Sequence, residues 1–134
     1  MILSRTSQYA IRALIYFSSL PCGERITNNK VAEYLDVPVA YLAKIMQKLC
    51  KGNLIYSHPG RHGGFCLREG GEKTNLIQIV SLIEGGGFAD KWLLDLENRS
   101  NEITCVEHSI WKPIREDVFS LLNELTLEHL ALAE

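Results

Sequence analysis

The chain has few cysteines and none of them are close together. Cys22, Cys50, Cys66 and Cys105 are scattered over 134 residues and form no C-x-x-C. A disulfide framework is therefore not expected, and Cys50 and Cys66, set in apolar patterns, read as small core residues. Long apolar runs are also missing. Nothing approaches the roughly 20 residues that a membrane helix needs. Residues Met1 to Arg5 lead straight into an amphipathic pattern, without the h-region and cleavage site of a signal peptide. A cytoplasmic chain with no membrane partner is expected. The motifs of catalysis are absent as well. Gly63-Gly64 and Gly85-Gly86-Gly87 lack the strand-to-helix context of a nucleotide loop, and there is no nucleophile elbow. An enzyme is not expected. Repeats and low-complexity tracts are missing too.

What is present is enough for a folded domain, since 46% of the residues are hydrophobic. A first helix is expected over Thr6 to Leu20, capped by Thr6 or Ser7, with Tyr9, Ala10, Ala13, Leu14, Phe17 and Leu20 inward. Pro21-Cys22-Gly23 ends it. Thr27 reads as the cap of a second helix that buries Val31, Ala32 and Leu35. Asp36-Val37-Pro38 is a turn, and a third helix runs from Val39 to Lys51 with Val39, Leu42, Ile45, Met46 and Leu49 inward. Gly52 or Asn53 closes it. Leu54–Ser57 and Phe65–Leu67 read as short strands around a Gly-rich tip, His58 to Gly64. Helix, turn, helix and hairpin in that order outline a winged helix-turn-helix, whose dominant use is to hold a helix in the DNA major groove.

The third helix contains no acid. Tyr41, Lys44, Lys48 and Lys51 follow one another at steps of three, four and three residues, which sets them on one outer stripe with Gln47 beside them. The lysines suit phosphates, and Tyr41 and Gln47 suit base edges or phosphate oxygens. Arg61 and His62 at the hairpin tip suit the minor groove, while Arg5, Thr27 and Asn28 (with Asn29 beside it) could add phosphate contacts. The competing reading is a solvated charged face, but such faces are usually of mixed sign. Charge is segregated along the whole chain. Residues 1–73 carry ten Lys/Arg against five Asp/Glu, a net +5, and residues 74–134 carry four against eleven, a net −7, which together give the overall −2. A basic front half with an acidic back half fits a nucleic-acid face opposed by a regulatory or oligomerising half.

The organisation expected is a DNA-binding unit over 1–73 and a sensor loop with dimerisation helices over 74–134. Thr74 or Asn75 opens a helix with Leu76, Ile77, Ile79, Val80 and Ile83, ending at Glu84-Gly85. Residues 85 to about 103 read as a loop with a short helical turn near Trp92 to Leu96. Thr104-x-x-Glu107 matches a capping box for a short helix that Pro113 interrupts or restarts. Trp111, Ile114, Val118, Leu121 and Leu125 follow at steps of 3, 4, 3 and 4, a heptad seam suited to a partner's copy in a homodimer or to the chain's own core. Thr126 caps a last helix through Leu132. Cys105 and His108, three apart on one helix face, could ligate a metal, or Cys105 could be a redox-sensitive thiol, or the turn could be inert.

These residues resemble the Rrf2 family of bacterial transcriptional regulators over nearly the whole length. The resemblance is carried by Tyr9-Ala10-Ile11-Arg12-Ala13-Leu14, by Val37 through Leu49, by Gly60-Arg61-His62-Gly63-Gly64-Phe65 and by Ile79 through Gly85. It implies a mainly α fold with a small β-hairpin wing, two winged heads joined through a long C-terminal helix, and a repressor bound to a pseudo-palindromic operator of double-stranded DNA. Many members hold an iron–sulfur cluster on three cysteines in the loop before that helix. Cys105-x-x-His108-x-x-Trp111 is similar to the last part of that site, but residues 85 to 104 contain no cysteine. Gln8 stands where some members supply a carboxylate. Thiolates are short by two, so no cofactor is the main expectation, with an iron–sulfur cluster as its alternative, and a thiol, a small-molecule effector or a regulatory protein is the expected input. The alternative is a redox or metal sensor that acts mainly through a protein partner. Two departures concern DNA: Ala40 and Ala43 replace residues often polar in the family, and the wing arginine is displaced behind His58-Pro59.

Overall fold

A single serine decides where the first helix starts. In the computed structural model, which describes residues 3–21, 23–85 and 101–133 (backbone alone for 101–108, 111, 132 and 133), helix α1 spans Arg5–Ser18. Its cap is Ser4, in extended conformation, whose Oγ accepts the Ser7 N–H at 3.1 Å. Neither Thr6 nor Ser7 caps it, because both already lie within the first turn, and Ser7 is fully buried. The helix ends before Leu20: the Ser18 and Ser19 hydroxyls donate to the carbonyls of Ile15 and Tyr16, satisfying acceptors that a further turn would otherwise use. Ile11 joins Ala10, Ala13, Leu14 and Phe17 on the inner face, and Tyr9 and Leu20 are only half-buried.

Helix α2 (Asn28–Leu35) opens on Thr27, whose side chain accepts the Lys30 N–H, and closes on Asp36 at φ 57°. Helix α3 (Val39–Lys51) follows directly, with Pro38 at its cap and Leu42, Ile45, Met46 and Leu49 buried. Val39 is not inward; as the first residue of α3 it is 46% exposed, and the buried face begins at Leu42. Gly52 caps α3, and Asn53 takes the left-handed conformation at φ 60°.

Strands β1 (Ile55–His58) and β2 (Gly64–Leu67) pair antiparallel; β1 lies one residue further on than the sequence expectation and β2 starts one residue earlier. Leu54 stays outside the ladder as a buried residue, and its carbonyl accepts the Arg68 N–H. Phe65 also exchanges two backbone hydrogen bonds with Ile26, at 2.8 and 2.9 Å, which fastens the hairpin to the segment before α2. This is why Gly64 is glycine: its φ is 138°, and a Cβ there would press on the Ile26 backbone.

A 3-10 turn at Gly71–Lys73 leads to helix α4 (Leu76–Glu84), capped by Asn75 through a reciprocal box with Gln78. Residues 86–100, including the expected turn near Trp92, lie outside the described residues. Helix α5 (Asn101–Glu124) is continuous across Pro113. Thr104 therefore lies within the helix and opens nothing, and Pro113 does not interrupt it. The proline removes one N–H, at a cost of about 3 kcal/mol, while the ladder on either side continues. Thr126 and His129 box the start of helix α6 (Leu127–Ala133) through reciprocal bonds of 3.3 and 3.2 Å.

Helix α1 is the hub, packed against α2, α3 and β2 as well as α4 and α6. The core is one cluster that includes Leu14, Leu42 and Ile55 from the front half and Ile79, Leu122 and Leu127 from the back. The α5–α6 turn is stitched to the start of α4 by Leu76 N–H to Leu125 O and Leu127 N–H to Thr74 O. Among the described residues, no helix is long and apolar enough to cross a membrane.

Candidate nucleic-acid interface

Burying one side of α3 fixes what the other side offers. With Leu42, Ile45, Met46 and Leu49 locked in the core, Lys44, Gln47, Lys48 and Lys51 are all exposed. Lys44, Lys48 and Lys51 have no ion-pair partner among the described residues. A stripe of cations without compensating acids is suited to phosphate oxygens.

Tyr41 shares the stripe but is held differently. It is half-buried, its hydroxyl lies 3.0 Å from Thr6 Oγ1, and its ring meets Tyr9 edge-on at 5.9 Å. The Arg12 guanidinium lies 5.6 Å from the centre of the Tyr9 ring. Tyr41 thus ties α3 to α1 and is only partly open to solvent.

Asn28 is likewise turned inward. Its Nδ2 donates to the Val39 carbonyl at 3.1 Å, and its Oδ1 is buried without a hydrogen-bond partner. It sets α2 against the start of α3, a positioning role. Thr27 is exposed at the α2 cap and Arg5 is exposed at the start of α1.

Arg61 and His62 are exposed at the wing tip. The tip is a tight turn closed by Gly63 N–H to Gly60 O at 3.1 Å. Gly63 is required there because a Cβ would run into the His58 carbonyl oxygen. The wing is fastened to Ile26 through Phe65, one pair below its tip, and braced at the tip by His58.

The seam residues divide. Ile114 and Leu121 are exposed, at 47% and 53%, and Ile110 joins them at 60%. Val118 and Leu125 are half-buried against the chain's own core, and Leu122, which the 3-4-3-4 spacing did not select, is the α5 residue that the core takes. The side chains of Trp111, Cys105 and His108 lie outside the described residues.

A buried-backed basic helix, entered by a tight turn from a second helix and followed by a fastened hairpin, defines a winged helix-turn-helix DNA-binding protein. The chain belongs to the Rrf2 family: the family model described as an iron-dependent transcriptional regulator matches residues 3–133. It is similar to an inferred HTH-type transcriptional regulator of Aquifex aeolicus (strain VF5), 27% identical over 133 residues that cover 97% of this chain and 91% of the relative. In fold it is similar to CymR (YrzC), the global cysteine regulator of B. subtilis, with TM-score 0.77, 21% identity and coverage of 98% of this chain and 97% of that one. It is also similar to T. potens IscR, with TM-score 0.75, 21% identity and coverage of 98% and 88%. The protein is a DNA-binding transcriptional regulator of the Rrf2 type.

The iron in the family's description needs donors, and the donor set here does not fit a cluster held by loop cysteines. Residues 67–104 contain no cysteine. The two described thiols, Cys50 and Cys66, stand apart on α3 and β2. Among the described residues no group of three His, Cys, Asp or Glu could hold a metal.

Proposed function

We propose that this protein is a homodimeric repressor that lays α3 of each copy in successive major grooves of a pseudo-palindromic operator. The uncompensated stripe of Lys44, Lys48 and Lys51 on a core-backed helix carries this reading. The lysines neutralise phosphates on either side of the groove, and Gln47 reaches base edges. Arg61 and His62 follow the backbone into the neighbouring minor groove. Thr27 and Arg5 add phosphate contacts. Tyr41 and Asn28 hold α3 at the angle that the groove requires.

The second copy docks on the outer stripe of α5, where Ile110, Ile114 and Leu121 present apolar surface to solvent. Trp111, Val118 and Leu125 flank that stripe. Signal input enters through residues 85–111, with Cys105 and His108 as its reactive pair and a thiol reagent, small molecule or regulatory protein as its source. Glu84, at the head of that segment, is bonded to the start of α1, so a pull on the segment bears on the DNA-binding unit.

Binding-site selection on the purified protein tests the reading. It should return an inverted repeat with half-site centres about 34–36 Å apart, one turn of DNA. Recovery of a single half-site bound by a monomer would overturn the dimer reading.

A further inference from the structure

His58 and Cys66 face each other across the wing. The register pairs His58 with Gly64 and Tyr56 with Cys66, so the two are diagonal neighbours on one face of the hairpin. His58 Nε2 lies 3.2 Å from Cys66 Sγ. Cys66 keeps 9% of its surface exposed and His58 is half-buried, so the contact is largely shielded from water while Cys66 still meets solvent. The other described thiol, Cys50, has no such neighbour, and burial pushes its thiol up. An imidazole within hydrogen-bond reach of a thiol is the arrangement that turns cysteine into a nucleophile.

We infer that Cys66 is an oxidisable thiol, activated by His58, that takes hydroperoxides and uses the added oxygen to move the wing tip. His58 accepts the thiol proton as the sulfur attacks the terminal peroxide oxygen. The S–O bond forms, the O–O bond breaks, and the departing alkoxide or hydroxide takes from the imidazolium the proton that the thiol gave up. The sulfur loses two electrons and the peroxide gains them, giving a sulfenic acid and an alcohol or water. The mechanical route is short. The new oxygen occupies the side of Cys66 where the imidazole rests, and His58 must shift. Its carbonyl is the atom against which Gly63 is packed, so the turn that carries Arg61 and His62 shifts with it. Phe65 stays bonded to Ile26, which confines the movement to the tip.

The reactivity stands on the His58–Cys66 contact alone; its effect on DNA rests on the proposal that the wing touches DNA. Both are read in one set of experiments on the full chain. The protein is treated with hydrogen peroxide and dimedone, and adducts at all four cysteines are quantified by peptide mass spectrometry. Cys66 should be labelled roughly 10-fold more than Cys50, and His58→Gln, checked for folding by circular dichroism, should bring it down to the Cys50 level. DNA affinity should fall about 10-fold on oxidation, return with a thiol reductant, and no longer respond to peroxide in His58→Gln. Labelling confined to Cys22 or Cys105, or unchanged Cys66 labelling in His58→Gln, overturns the activated thiol. A labelled Cys66 with unchanged affinity, in a protein whose Arg61→Ala variant binds DNA more weakly, overturns the coupling. Arg61→Ala binding as well as the parent rejects the wing contact, and the coupling with it.

Discussion

Ser7 and Glu84 are 77 positions apart in the chain, and the hydroxyl of one donates to the carboxylate of the other at 2.7 Å. The same Oε1 accepts the N–H and the hydroxyl of Ser4. One carboxylate at the end of α4 therefore closes the start of α1. The two serines reach it from the cap and from the first turn, with Ser7 fully sealed from solvent. Replacing Glu84 with Ala leaves a buried hydroxyl without its acceptor, and should cost about 1–3 kcal/mol in urea unfolding. Ser7→Ala removes the donor as well as the need for it and should cost less. Equal stability of Glu84→Ala and the parent would remove Glu84 from this role.

Leu121 and Leu122 are neighbours with opposite fates, 53% and 4% exposed. Leu122→Ala should lower stability by about 2–5 kcal/mol, as expected of a truncated core leucine. Leu121→Asp should yield a monomer by light scattering and lower the thermal midpoint only by what dimerisation contributes, leaving a cooperative unfolding transition. A dimeric Leu121→Asp protein would move the interface off this stripe.

Tyr41 gives a finer test of how α3 is held. Tyr41→Phe keeps the edge-on ring contact with Tyr9 and loses only the Thr6 partner, at a cost of about 1 kcal/mol. Tyr41→Ala should cost about 3 kcal/mol or more, because the ring contact goes too. Identical losses in the two variants would place all the worth of Tyr41 in its hydroxyl.

Cys50 carries a pH signature. Burial pushes its thiol up, so above about pH 8.5 the unfolded chain loses the proton that the folded chain keeps. The folded state then binds more protons, and stability must fall as pH rises through that range. Cys50→Ala should flatten the fall in unfolding free energy between pH 8 and pH 10. An unchanged slope would mean that another group sets the alkaline limit. For the same reason, Cys50 in the folded protein should alkylate more slowly than the free thiol at pH 8.

Much of the head was legible in the sequence because its signals are local. Thr27 as a cap, Asp36-Val37-Pro38 as a turn and Gly52-Asn53 as a stop each act within one helical turn, and each falls where the residues indicated. The elements that differed depend on distant partners. Ser4 outcompetes Thr6 and Ser7 as a cap, with Glu84 reaching both serines from the far end of α4. Pro113 reads as a break by local rule, yet it sits inside a 24-residue helix. The seam spacing is a property of α5 alone, whereas the choice of Leu122 over Leu121 depends on where the rest of the core, α4 included, lies against α5. The lysine stripe of α3 could be read directly from periodicity. The inward turns of Tyr41 and Asn28 could not, because they are set by α1 and by the α3 terminus. Nor could the His58–Cys66 contact, which needs the hairpin register.

If the α3 stripe is the surface that meets DNA, its lysines set how binding responds to salt. The most direct test is the salt dependence of DNA affinity in the parent and in a Lys44→Ala, Lys48→Ala double variant. The double variant should bind all sequences more weakly, with a slope of log K against log salt flatter by about 1.8, near 0.9 for each lost phosphate contact. A slope unchanged by the double substitution would contradict that role of the stripe.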